Sequence, residues 1–105
     1  MKIIETEKAP KAIGTYSQAT KVDGFLFISG QIPLDPKTME LVEGIENQIN
    51  QVFENIRQIL KADGMDFSNV VKLSVLLDDL NHFEKVNEIM ASIFSKPYPA
   101  RAAYE

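Results

Sequence analysis

The sequence of 105 residues has no cysteine and no tryptophan, one histidine and two arginines. Without cysteine there is no disulfide, no thiol nucleophile and no thiolate metal ligand. That usage fits a reducing compartment, and a cytoplasmic location is the expectation. One histidine among scattered carboxylates offers no metal-ligand spacing, so no metal is expected. Apolar runs stay far below the ~18 residues of a membrane span. The first residues, Met1-Lys2-Ile3-Ile4-Glu5, lack the apolar centre of a secretory leader, so no membrane partner is expected. A net charge of -4 and a pI near 5.0 argue against a basic nucleic-acid surface, and no nucleic-acid partner is expected. There is no P-loop and no dinucleotide-binding glycine pattern.

What is present suffices for one domain, residues 1–105. Hydrophobic residues make up 45% of the chain, enough for a core without staples. No linker, repeat or low-complexity tract interrupts it. Ile3 to Thr6 reads as a short strand, and Pro10 and Gly14 mark a loop. Ser17 to Val22 and Phe25 to Ser29 flank Asp23-Gly24, which suits a type I′ hairpin. Both faces of the second strand are largely apolar, which predicts cover on both sides. Asp35-Pro36 marks a turn. Residues 45–62 form a helix whose arc is Ile45, Ile49, Val52, Phe53, Ile56, Ile59 and Leu60, with Gly64 as a left-handed cap. Residues 69–78 read as a strand. A second helix over 80–94, capped by Asp78 or Asp79, buries Leu80, Phe83, Val86, Met90, Ile93 and Phe94. Pro97 and Pro99 end it, and Ala100 to Glu105 begins another strand. The order β-ββ-α-β-α-β describes an α+β fold with two helices on one face of a sheet.

Candidate chemistry is sparse. Arg57 follows Glu54 by three residues, an ordinary helix-surface pair. Arg101 lies in Pro97-Tyr98-Pro99-Ala100-Arg101-Ala102-Ala103, stiffened by prolines, flanked by small residues and far in sequence from any acid except Glu105. It can offer a planar fork to an external carboxylate or pair with an acid elsewhere in the fold. Ser29-Gly30-Gln31 ends an apolar strand and can present the Ser29 hydroxyl and a backbone N–H, or simply terminate the strand. Asn87 lies four residues after Phe83 and three before Met90, so it shares their helix face. A buried amide there needs partners, and a nearby loop backbone is the expected one. Tyr16 reads equally as a lid or as an aromatic at the core edge, and His82 as a packing or surface histidine. From the residues alone this is an α+β domain with one unusual arginine, without an assigned activity.

Three stretches carry more. Ala12-Ile13-Gly14-Thr15-Tyr16-Ser17-Gln18-Ala19, Phe27-Ile28-Ser29-Gly30-Gln31-Ile32-Pro33 and Pro99-Ala100-Arg101 resemble the Rid/YjgF family of reactive-intermediate deaminases. Residues 48–64 and 70–94 follow the same pattern, so the resemblance spans essentially the whole chain. It implies a chorismate-mutase-like α+β fold, a homotrimer with ligand clefts between neighbouring subunits, and cofactor-independent hydrolysis of imines and enamines. The implied substrates are 2-aminoacrylate and 2-iminobutanoate, and the products are 2-keto acids and ammonia. The resemblance further implies that Arg101 clamps the substrate carboxylate, that Ser29, Gly30 and Tyr16 contact or enclose the ligand, and that Asn87 lies near the cleft. Two departures stand out. Ala102-Ala103 replaces a Ser-Cys pair found in many members. The family also continues past the equivalent of Glu105 with further strands and a glutamate held to orient the attacking water, so the C-terminal strand region is expected to be missing. Two other activities stand beside deamination: a trimeric module that binds small carboxylates without turnover and, ranked last, a ribonuclease or translation inhibitor.

Overall fold

A computed structural model describes residues 1–105. Asp23 and Gly24 have φ of 50° and 80°, the doubly positive pair that a type I′ turn requires. They join β2 (Ala19–Val22) to β3 (Phe25–Ile28), and β1 (Lys2–Ile4) adds on the far side of β2, giving an antiparallel sheet in the order β1-β2-β3. The register sets Ile4, Ala19 and Ile28 in one row and Ile3, Thr20 and Phe27 in the next. Because side chains alternate across a strand, the first row faces the core with Leu26. There it packs with Ala9 and with Ile59 of α1 (Ile45–Ala62).

Helix α1 begins and ends where the periodicity placed it. Its C-terminus is a Schellman motif: Gly64 N–H donates to the Lys61 carbonyl and Met65 N–H to that of Leu60, with Gly64 at φ 70°. Lys21 ties β2 to this end through a 3.0 Å ion pair with the largely buried Asp63. Between β3 and α1 the chain makes the turn expected at Asp35-Pro36: the Asp35 carboxylate accepts from Lys37 N–H, and its carbonyl accepts from Met39 N–H. All of this lies in residues 1–65, the first of two compact units into which the chain divides.

One expectation fails in that unit. The second face of β3 is not covered in this chain: Phe25 and Phe27 are 61% and 58% exposed, their rings 6.5 Å apart. Ile3 and Val22 are exposed beside them. The amphipathic logic of one strand cannot tell cover by the same chain from cover by another.

The second unit is residues 66–105. Asp66 opens a single 3₁₀ turn, Phe67–Asn69, in which its carboxylate accepts from Ser68 and the Asn69 side chain accepts from Asp66 N–H. The strand expected over 69–78 is shortened by that turn to β4 (Lys72–Leu76), whose odd positions Leu73 and Val75 turn inward while Val71 stays exposed. The second helix is shorter at both ends than its sequence pattern suggests. The Asp79 carboxylate accepts from Asn81 N–H and closes another 3₁₀ turn over Leu80–His82, which leaves Leu80 exposed. Regular helix, α2, runs over Phe83–Ile93, and Phe94 is its buried cap residue. Helix α2 crosses over to β5 (Ala100–Tyr104), parallel to β4 with Leu73 opposite Arg101. Phe67, Val86, Ile89, Met90 and Phe94 are buried here, with the Phe67 and Phe94 rings edge to face at 5.2 Å. The element order is thus β-ββ-α-β-α-β in an α+β fold, and the strands hydrogen-bond as one three-stranded and one two-stranded sheet. No helix is long and apolar enough to cross a membrane.

Candidate functional site

The sequence candidates fall into two groups, Tyr16, Ser29 and Gly30 in the first unit and Asn87 and Arg101 in the second.

Arg101 sits in β5, where parallel pairing with β4 fixes the backbone. Its guanidinium lies along one stripe of α2. Nη1 donates to Asn87 Oδ1 at 2.5 Å and to the Met90 sulfur at 3.5 Å, and the guanidinium carbon stands 4.5 Å from the centre of the Phe83 ring. Phe83, Asn87 and Met90 are spaced by four and three residues, so the helix stacks them on one face. Arg101 therefore pairs with no acid of this chain. Asn87 is exposed rather than buried, and its partner is the guanidinium rather than a loop backbone, which corrects the expectation. The physical reason is the crossover, which brings β5 back over α2. Nη1 has spent both protons, whereas Nε and both protons of Nη2 make no hydrogen bond with the protein.

In the first unit, Tyr16 and Gly30 line an open cleft with Pro10, Lys11, Gln31 and Met39. Tyr16 is exposed, which places it at the cleft and not at the core edge. Its hydroxyl oxygen accepts a long contact from Ile13 N–H, so its own proton is available to donate. The Ser29 hydroxyl donates to the Ser17 carbonyl at 2.6 Å, and Ser29 N–H donates to the Gln18 carbonyl. Ser29 thus clamps the start of β2, and to a ligand it can offer only the lone pairs of its oxygen. A Cβ on Gly30 would meet nothing within 4 Å, so glycine there leaves open space and answers no need of this chain's packing.

Two residues that shape the cleft escaped the sequence reading. Gln18 is buried, accepts from Thr6 N–H at 2.8 Å, and donates through Nε2 toward the carbonyls of Pro10, Thr6 and Ala9. It holds the loop that carries Pro10 and Lys11. Asn55 is fully buried on α1, where its amide nitrogen donates to the carbonyls of Leu34 and Ile32 and its oxygen accepts from Gln51. It holds the opposite wall. Asn55 could have been suspected: three residues after Val52 and four before Ile59, it borders the apolar arc on the Ile59 side. Gln18 carried no such signal, since a strand glutamine beside a loop is usually solvated. Arg57 pairs with Glu54 at 3.1 Å on the helix surface, as its spacing indicated.

A family model described as Endoribonuclease L-PSP matches residues 6–105. The chain is 54% identical to a RutC family protein of Pyrococcus horikoshii over 98% of this chain and 82% of that protein. It is 51% identical to a 2-iminobutanoate/2-iminopropanoate deaminase of Homo sapiens, over 99% of this chain and 77% of the human protein. Among solved structures, RidA from the Antarctic bacterium Psychrobacter superposes with a TM-score of 0.95 at 52% identity, covering 99% of this chain and 85% of that one.

Proposed function

Because this chain belongs to the Rid/YjgF family, we propose that it hydrolyses 2-imino acids and their enamine tautomers to 2-keto acids and ammonia. The observation that carries the reading is Arg101, a cation without an acidic partner, fixed at Nη1 and open at Nε and Nη2. Relatives named 2-iminobutanoate/2-iminopropanoate deaminase support the choice of substrate class. The chain is acidic overall, so long-range attraction does not gather an anionic substrate, and capture falls to a local cation.

In the proposed reaction Arg101 holds the carboxylate. Hydrogen bonds to a charged group are worth about 1.5–3 kcal/mol each, and two of them fix the orientation of the C2 atom. Water adds its oxygen to C2. One water proton goes to the nitrogen as the C=N π bond opens to a carbinolamine. The second then passes from the new hydroxyl to the nitrogen, the C2–N bond breaks, and ammonia leaves as the C2–oxygen bond becomes the keto group. The imine carbon is already electrophilic, so positioning and charge stabilisation can supply much of the acceleration without a cofactor. Tyr16, Ser29 and Gly30 are proposed to enclose the ligand, Tyr16 as a hydroxyl donor and Ser29 as an acceptor. The proposal includes a homotrimer. The open face of Ile3, Val22, Phe25 and Phe27 supports it, because covering the part of each phenylalanine still exposed recovers about 1–2 kcal/mol. A ribonuclease reading has less behind it, since a pI near 5.0 gives phosphates little attraction.

The test generates 2-iminobutanoate with a threonine dehydratase and follows the decay of the imine. Decay faster than the buffer rate, in proportion to added protein, is the expected result. Binding of 2-ketobutyrate with decay at the buffer rate would instead identify a carboxylate-binding module.

A further inference from the structure

We infer that Phe83 and Met90 are positioning residues for Arg101, and that together with Asn87 they select which edge of its guanidinium meets a ligand. The inference rests on the reading of Arg101 as the carboxylate clamp and extends it to the residues behind the arginine. A guanidinium can grip a carboxylate through two pairs of parallel N–H bonds, the Nη1/Nη2 end or the Nε/Nη2 side. In this protein the end is closed. Asn87 Oδ1 and the Met90 sulfur take the two protons of Nη1. Phe83 sets its ring under the guanidinium carbon, 4.5 Å from the ring centre, and attracts the cation through the ring's negative surface. Only the Nε/Nη2 side keeps two adjacent, parallel donors.

Each contact restrains a different freedom. The ring holds the charged carbon against α2, Asn87 anchors Nη1, and Met90 gives Nη1 its second acceptor. Asn87 alone would leave the exposed guanidinium free to swing about its single hydrogen bond. Met90 is buried and cannot follow such a movement, and Phe83 is half-buried at the first position of α2. An arginine so restrained loses less freedom when it binds a carboxylate, which is where affinity is gained. A lysine, whose ammonium is a point charge, could use neither the ring plane nor the side edge in this way.

Arginine-detected NMR of the full chain tests this directly, because Arg57 is the one other arginine and serves as an internal reference. In wild type the Arg101 Nη1 and Nη2 groups should give separate, slowly rotating resonances. Saturating 2-ketobutyrate should shift the Nε and Nη2 signals and leave Nη1 in place. Phe83→Leu should average the Nη signals and raise the Kd for 2-ketobutyrate by about 2- to 5-fold. Phe83→Tyr, which keeps the ring, should restore both. Met90→Leu keeps volume and removes the sulfur, and should speed Nη rotation while the melting curve stays close to wild type. Freely averaged Nη signals in wild type, or Phe83→Leu with wild-type rotation and Kd, would overturn the inference. Because the rotation is read without turnover, it judges Phe83 and Met90 independently of the deaminase reading, which fails separately if wild type leaves imine decay at the buffer rate.

Discussion

Replacing Gln18 with methionine keeps the length of the side chain and removes every polar atom. Gln18 accepts one hydrogen bond from Thr6 N–H and has two Nε2 protons to place among three carbonyls, best at Pro10 (2.9 Å) and Thr6 (3.2 Å). Three net hydrogen bonds at about 1 kcal/mol each give a loss near 3 kcal/mol. For a chain of this size that corresponds to a Tm lower by about 10–20 °C. Urea unfolding followed by circular dichroism, at one fixed protein concentration, should show the midpoint falling with an unchanged slope. Hydrogen exchange should show protection lost first at the Thr6 amide, since its acceptor is gone. The loop it releases carries Pro10 and Lys11, so the KM for imine should rise as well. A stability change below about 0.5 kcal/mol with Thr6 still protected would refute the assignment of Gln18 as the tie of this loop.

Other outcomes follow from the same reasoning. Asn55→Ala leaves the Leu34 and Ile32 carbonyls and the Gln51 amide without their partner, and should cost about 2 kcal/mol by urea unfolding. The Asp66 carboxyl is held below its ordinary value of 3.8, first by the Ser68 hydroxyl and then by the Ser68 N–H. A depressed folded pKa contributes stability above the unfolded value that is lost as pH falls through the folded one. In Ser68→Ala the hydroxyl is gone and the backbone donor stays, so an NMR titration should find Asp66 closer to 3.8, with the contribution lost at a higher pH than in wild type. Phe27→Glu places a charge on the open face of β3, and light scattering after size exclusion should find a species smaller than the proposed trimer. An intact trimer would remove that face from the interface.

Legibility in the sequence tracked how local each interaction is. The Asp23-Gly24 turn, the span of α1 and its Gly64 cap depend on neighbours a few residues away, and all were readable. The start of α2 was not, because a single side-chain contact from Asp79 to Asn81 N–H diverts three residues into a 3₁₀ turn. Arg101 was suspected from its flanking residues, but its hold on Asn87, Met90 and Phe83 depends on a strand returning over a helix, which no spacing within either element reveals. The same holds for Gln18, whose four backbone partners are eight to twelve residues away. The cover expected over Phe25 and Phe27 failed for a different reason: hydrophobicity states that a face needs a partner without saying which chain provides it.

The most direct measurement of the central claim is the decay of 2-iminobutanoate with wild type and Arg101→Ala side by side, with folding of the variant checked by circular dichroism. Losing two charge-assisted hydrogen bonds at about 1.5–3 kcal/mol each corresponds to a fall in kcat/KM of about 10²- to 10⁴-fold. The account predicts rapid decay with wild type and, with the variant, decay close to the buffer rate. Equal decay with the two proteins would contradict it, because the cation that is meant to capture the substrate would then have no part in the reaction.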